Sequence, residues 1–354
     1  MNRSSLRNLR SALAPFAFIL ALTFLGCKEG QSAQAGTRVM TYNIEWFSED
    51  ATPERIQNLK KVIEETQPSI IGFQEVQSKA AMRQILDSNW VVGMADDPDQ
   101  YQEVGVAVKA PFKLLRTEWL FPGAALDFAY PDRRDVLRAE LESPGGKRFS
   151  VYVVHMKSRR GSDATPQGYS GRNETDRQRE QACALLAGYL SGRPDETKIV
   201  LGDFNDTPDD RSLNILESGN LLAKGGPSQW TQPLLVNLTE PLYRQDYVSI
   251  GLARAYLGQP IEPKMTGAMK SNEDTRGKEH RFPQDVPVTQ TLFDQILVSP
   301  NLQSKVSETS IHSSKYSLQG KSGRTERTDK GVNYIEKPTR ASDHLPVVIE
   351  VDLN

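Results

Sequence analysis

The hydrophobic pattern becomes regular from Thr37 onward. TRVMTYNI is a strand-length apolar run, and Thr52-Pro53 then opens a helix, with the Thr hydroxyl as the capping acceptor and Pro where no intrahelical N–H is needed. Ile56, Leu59 and Ile63 recur at helical spacing and give that helix one apolar face. SIIGFQEV, a continuous apolar run after Pro68, predicts a strand covered on both faces. The segments VGVAVKA, FKLLRTEWLF, VLRAELE and FSVYVVHMK follow as antiparallel strands, with SPGGKR turning between the last two. Ala182, Leu185, Leu186 and Tyr189 predict a helix over about Glu174 to Leu190, with Asn173 as its cap and Cys183 as an inert helical thiol. KIVLGDF is another buried strand, and DTPDDRSLNIL starts a further helix. The two halves therefore share one layout of strand, helix and strand.

Periodicity weakens over about 219–290, which predicts an insertion or long loops over the domain. TLFDQILVS and LPVVIEVDL resume as strands, and between them Ser313 to Arg340 forms a loop rich in Ser, Lys and Arg. No repeat of 20 to 50 residues is present.

The first 26 residues stand apart. Arg3, Arg7 and Arg10, without any acid, precede the apolar run from Ala12 to Leu25, the layout of an export signal too short to span a bilayer as a helix. Its end, Phe24-Leu25-Gly26-Cys27, resembles a bacterial lipobox, although Phe24 stands where Leu is usual. Lipidation of Cys27 would make this a membrane-anchored, exported protein of the periplasm or cell surface, and Lys28 after it favours the outer membrane. A plain secretory signal with an incidental cysteine is the alternative. Residues 27–36 are small and polar and suit a flexible tether, so the folded domain is expected over 37–354.

Charged residues make up 25% of the chain and hydrophobic ones 38%, which excludes both wholesale disorder and a polytopic membrane protein. Two cysteines exclude a disulfide framework, and no Cys/His cluster suggests structural zinc. Of the 43 basic side chains, three belong to the export signal, leaving 40 against 45 acidic ones. The bulk composition thus lacks a strongly basic nucleic-acid footprint, and the excess of basic side chains in the 313–340 loop is the local exception.

The chemistry is written at the strand ends. TYNIE carries Asn43 and Glu45, GFQE Glu75, VVHMKS His155, LGDFN Asp203 and Asn205, FDQI Asp294, and SDH Ser342, Asp343 and His344. Scattered in a core, such groups would cost several kcal/mol each, on the order of 2 to 7. Gathered at the carboxyl ends of strands they form a crevice where ligands bind. Carboxylate and amide oxygens suit Mg²⁺, Mn²⁺ or Ca²⁺, and a His beside a carboxylate suits a general base. Neither a G-x-S-x-G elbow nor a P-loop is present, so serine hydrolase and NTP-dependent kinase chemistries fall away.

The ordered series TYNIEWF, IIGFQEV, VHMKS, LGDFND, DQILVS and SDHLPV resembles the endonuclease/exonuclease/phosphatase superfamily over about Thr37 to Leu353. That resemblance implies a four-layered α/β sandwich of two packed mixed β-sheets flanked by helices. It also implies a divalent-metal-dependent phosphodiesterase acting on a nucleic acid, with a phosphatase or phospholipase of the same superfamily, or a non-catalytic binding lipoprotein, as alternatives. Carried over residue by residue, Glu75 is the principal metal ligand, Asn43 contacts metal or phosphate, Glu45 occupies an acidic position of some branches, and Asp343 lies near the metal. Asp203 and Asn205 orient water and phosphate. His344 is the base, Asp294 fixes its tautomer, and His155 binds phosphate or protonates the leaving group. Lys157, Arg159, Arg160, Arg177 and Arg179 are implied as contacts to the phosphate or its flanks, and no obligate protein partner is implied.

Overall fold

Two six-stranded sheets lie face to face, and the residues that build them alternate between two hydrophobic environments. A computed structural model describes residues 36–95, 102–131, 134–159, 171–222, 232–245, 247–250, 291–321, 323–328 and 331–354. The export-signal segment, Cys27, the tether up to residue 35 and Arg160 lie outside the described residues.

The elements run β1 (Thr37–Phe47), α1 (Pro53–Thr66), β2 (Ile70–Val76), α2 (Lys79–Ile85), β3 (Trp90–Met94), β4 (Glu103–Lys109), β5 (Lys113–Leu120), β6 (Val136–Glu142), β7 (Arg148–His155), α3 (Gly171–Ser191) and β8 (Lys198–Asp203). They continue as α4 (Arg211–Ser218), β9 (Val236–Asn237), α5 (Glu240–Tyr243), β10 (Asp294–Val298), α6 (Pro300–Gln303), β11 (Val306–Ile311), α7 (Lys315–Leu318), β12 (Arg324–Thr328), β13 (Gly331–Glu336) and β14 (Val347–Val351). The first sheet has the order β11-β14-β1-β2-β4-β3 and the second β5-β6-β7-β8-β10-β9. In each, one parallel pair sits at the centre, β1 with β2 and β7 with β8, and the pairings around it are antiparallel. Each parallel pair is crossed over by a helix, α1 or α3, which explains the mirrored layout of the sequence.

Alternation along the strands assigns the layers. Val39 and Ile70 of the first sheet and Val153, Leu201 and Ile296 of the second meet in a shared inner core. Their neighbours Met40, Ile71 and Phe73 face outward onto Leu59, Val62 and Ile63 of α1 and Met82 of α2. Tyr152, Val154 and Val200 face outward onto Ala182, Cys183, Leu186 and Leu190 of α3 and Leu213 of α4. Helix, sheet, sheet, helix is the expected four-layered α/β sandwich. Gly72 lets the sheets approach, because a Cβ there would stand 2.0 Å from a Leu201 methyl.

Several local expectations hold in detail. Thr52 caps α1, its hydroxyl accepting from the Arg55 N–H at 3.3 Å with Pro53 in the first turn. Others are corrected. Helix α3 begins at Gly171, so Asn173 lies inside its first turn and does not cap it. Within the stretch read as an insertion, Val236–Asn237 pairs with β10 and Ile250 bridges Thr291 and His344, so these residues join the second sheet and the loop that carries His344. The 313–340 segment contains α7 and a two-stranded antiparallel sheet of β12 and β13, where strand pairing supplies the order that side-chain hydrophobicity does not. Helix α2 and strand β3 carried no separate expectation.

Candidate active site

The inner faces of the strands turn polar at one end. Along the second sheet the inner positions Val153 and Leu201 give way, two residues on, to His155 and Asp203, and Ile296 of the antiparallel β10 gives way, two residues back, to Asp294. These three are in register across β7, β8 and β10, so they form one row. On the first sheet the inner row from Val39 continues through Thr41 to Asn43. Glu75 follows Phe73, an outward position, by two residues, yet its carboxylate meets Asn43. The cause is local: Glu75 has φ 60°, and the pairing of β2 with β4 slips between Gln74 and Val76. A bulge with left-handed backbone turns the side chain across the sheet edge.

The two rows join through Asn43, whose amide donates to Glu75 Oε1 at 3.2 Å and to Asp203 Oδ2 at 3.1 Å. His155 Nε2 lies 3.6 Å from Glu75 Oε1 and 3.7 Å from Asp203 Oδ2. Glu75, His155 and Asp203 each place a ligand atom within 4.8 Å of the others. Asn205 also has left-handed backbone (φ 52°), donating through its N–H to Asp203 Oδ1 and through its amide to the Met156 carbonyl and to Asp203 Oδ2. Gly202 permits this turn: its φ is 149°, and a Cβ would sit 2.0 Å from the Val154 carbonyl oxygen.

Beside the cluster stands a carboxylate–imidazole pair. His344 Nδ1 is 2.7 Å from Asp294 Oδ2, while its Nε2 faces Asp203 Oδ2 and Asp343 Oδ1, both at 3.9 Å. The His344 N–H donates to the Ser342 hydroxyl, which donates to the Asn43 carbonyl, tying this loop to the first row. Arg55, buried in the first turn of α1, donates to the carbonyls of Ile44, Glu45 and Ala341 and so holds the same two loops.

Electrostatics separate the groups. Burial pushes Glu75 up to about 7, with the charge of Asp343 adding to it. Burial likewise lifts Asp203 to about 6 against the pull of His344. Burial works to lower His344, but Asp294, Asp203 and Asp343 together hold it well above the usual imidazole range. Burial, with the charges of Arg134 and His344, holds His155 well below that range. One imidazole is thus kept neutral and the other is kept basic.

The remaining expected residues fall in different places. Asp343 is at the cluster's edge, its side chain 30% exposed. Glu45 turns to Arg340, which grips both its oxygens at 3.0 and 2.7 Å. Lys157 is half-buried and close enough for its charge to act on His155. Arg177 is exposed on α3 and joins none of these contacts. Arg159 and Arg179 are not presented to a phosphate: both pair with buried Asp206, and they donate to the carbonyls of Asn205 and Lys157, respectively.

Four participants carried no expectation for the site. Arg134, buried two residues before β6, acts on both Glu75 and His155. Asp206 organises the two arginines, and Arg340 holds Glu45. Ser249 contacts Asp294. Of these only Asp206 had a signal, as an acid directly after the LGDFN strand end.

The cluster fits a divalent cation. Two carboxylates and an imidazole converge in a buried space, and burial raises both carboxyls, which a bound cation would oppose by favouring their ionised forms.

The endonuclease/exonuclease/phosphatase family matches residues 40–344. Among solved structures, TDP2 of D. rerio humanized by 14 mutations has a TM-score of 0.52 at 13% identity, covering 88% of this chain and 97% of that one. D. rerio TDP2 complexed with single strand DNA product gives 0.51 at 15% identity, covering 88% and 97%. Truncated TDP2 of Caenorhabditis elegans gives 0.52 at 13% identity, covering 89% and 97%. At such identities the likeness shows the fold. No curated protein matches the sequence.

Proposed function

The chain belongs to the endonuclease/exonuclease/phosphatase family, a phosphoesterase family, and from that premise we propose that it is a divalent-metal-dependent phosphodiesterase, acting as an exported nuclease. One observation carries the reading: the Glu75–Asn43–Asp203–His155 cluster and the Asp294–His344 pair face the same space, with Asp203 Oδ2 shared between them.

Glu75 is the principal ligand for Mg²⁺, or Mn²⁺ or Ca²⁺, with Asn43, Asp203 and the edge carboxylate Asp343 beside it, while Glu45 contributes through its pairing with Arg340. When bound, the cation supplies Lewis acidity to the phosphate oxygens and favours the ionised form of water. His344 Nε2 takes the proton of the attacking water, and Asp294 keeps the Nδ1–H in place and stabilises the charge that results. Asp203 and Asn205 orient the water and the phosphate. His155, held neutral, donates a hydrogen bond to the phosphate and is not charged as a strong acid would be. Lys157 and Arg134 supply positive charge on the same side. The leaving oxygen departs opposite the water.

Single-stranded DNA heads the substrate series, because TDP2 of the same fold was solved with a single strand DNA product. The test is a panel of DNA, RNA, sphingomyelin, inositol phosphates and nucleotides with Mg²⁺, Mn²⁺ and Ca²⁺. Cleavage of a nucleic acid that EDTA abolishes supports the proposal. Turnover confined to lipid head groups or inositol phosphates replaces nuclease by phospholipase or phosphatase, and binding without turnover replaces enzyme by binding protein. Export with lipidation at Cys27 rests on the residues before it; incorporation of labelled palmitate, with accumulation of the labelled uncleaved precursor under globomycin and loss of label in Cys27→Ala, is the expected result.

A further inference from the structure

Asp294 aims His344, but little aims Asp294. Its carboxylate is fully buried, and among the described residues Oδ1 accepts no hydrogen bond, so both anchors fall on Oδ2. One is His344 Nδ1 at 2.7 Å; the other is the hydroxyl of Ser249 at 2.6 Å. Without Ser249, the orientation of the carboxylate would depend on the imidazole that it is meant to orient.

The Ser249 hydroxyl is itself fixed. Its oxygen accepts from the backbone N–H of Phe293 at 3.1 Å and of Asp294 at 3.0 Å, which leaves its own proton directed to Oδ2. Its backbone is held from both sides. The Ser249 N–H donates to the Thr291 carbonyl at 2.9 Å, and its carbonyl accepts from the Leu345 N–H at 2.7 Å. Ile250 bridges both Thr291 and His344. Ser249 is therefore locked between the strand start that carries Asp294 and the loop that carries His344, and it is fully buried.

We propose that Ser249 is a positioning residue for the Asp294–His344 pair, fixing the carboxylate oxygen that orients the imidazole towards water. This rests on the base role given to His344 above. A hydroxyl bonded to a carboxylate is a charge-assisted contact, and losing it from a group with one other anchor allows the carboxylate to turn and the imidazole to follow. Substrate binding does not involve it, so the effect falls on kcat.

The test uses Ser249→Ala in the full chain with Mg²⁺, alone and combined with Asp294→Asn. Ser249→Ala is expected to lower kcat about 10-fold, the scale of one charge-assisted hydrogen bond, with KM within about twofold. In the Asp294→Asn background the same change should cost less than about twofold, because the group it positions is altered already. A wild-type kcat in Ser249→Ala, or an undiminished loss in the Asp294→Asn background, overturns the proposal. If Ser249→Ala does not fold, Ser249→Cys, which fills the space but donates weakly, is judged by the same criteria. His344→Ala run alongside separates the two failures: full activity there removes the base role itself, whereas an inactive His344→Ala with wild-type Ser249→Ala removes only the role of Ser249.

Discussion

Burial of the Glu75 carboxyl makes the metal-free protein lose stability as pH rises, and Glu75→Gln should remove its share of that dependence. Glu75 moves from 4.5 to about 7 on folding, so the folded state binds its proton more tightly than the unfolded chain does. A raised folded pKa contributes stability that is complete below about 4.5 and lost as pH climbs through about 7. For a group with these two values, linkage gives a loss of about 2.5 kcal/mol between pH 5 and pH 8. His344, also raised, acts in the same direction but is present in both proteins, so comparing the two isolates Glu75. The assay is urea unfolding of EDTA-treated wild type and Glu75→Gln, followed by circular dichroism at pH 5, 6.5 and 8. Wild type should lose about 2.5 kcal/mol more than the variant across that range, and added Mg²⁺ should restore wild type at pH 8 while leaving Glu75→Gln almost unchanged. Equal pH slopes in the two proteins, or wild-type stability that rises relative to the variant, would refute the reasoning.

Three further outcomes follow from the geometry. Gly202→Ala forces a Cβ to 2.0 Å from the Val154 carbonyl oxygen at a φ of 149°, and thermal melting should show a loss of about 3 kcal/mol or more, with activity lost in parallel. Arg179→Met leaves buried Asp206 with Arg159 as its remaining cation and should cost about 1 to 3 kcal/mol in urea unfolding, whereas exposed Arg177→Ala should stay within about 0.5 kcal/mol. Arg340→Met removes the guanidinium grip on the Glu45 carboxylate, and calorimetric titration with Mn²⁺ should detect altered affinity, while Arg83→Met, whose guanidinium donates to the carbonyls of Asp87 and Trp90, leaves it unchanged.

How much of this was legible in the sequence depended on whether the cause was local. The inner row of His155, Asp203 and Asp294 was readable because each ends, or begins, an apolar strand whose alternation fixes which face it takes. Glu75 was readable as a strand-end acid, but not its geometry, since alternation alone sends it outward and a bulge brings it back. Arg159 and Arg179 read as phosphate contacts because arginine near a phosphoester site suggests one. Their burial against Asp206 depends on α3, β7 and the Asn205 loop packing together, which no short window encodes. Ser249 was hidden for the same reason: it lies in a stretch without period, and its meaning comes from Asp294, 45 residues on, and His344, further still.

The central claim is that His344, oriented by Asp294, activates water beside a cation-binding carboxylate cluster. The direct measurement is kcat of the cation-loaded protein on a phosphodiester, for wild type and His344→Ala, with and without EDTA. The account predicts a loss of roughly 10²-fold or more in His344→Ala and no turnover in EDTA. Wild-type kcat in His344→Ala, or turnover that survives chelation, would contradict it.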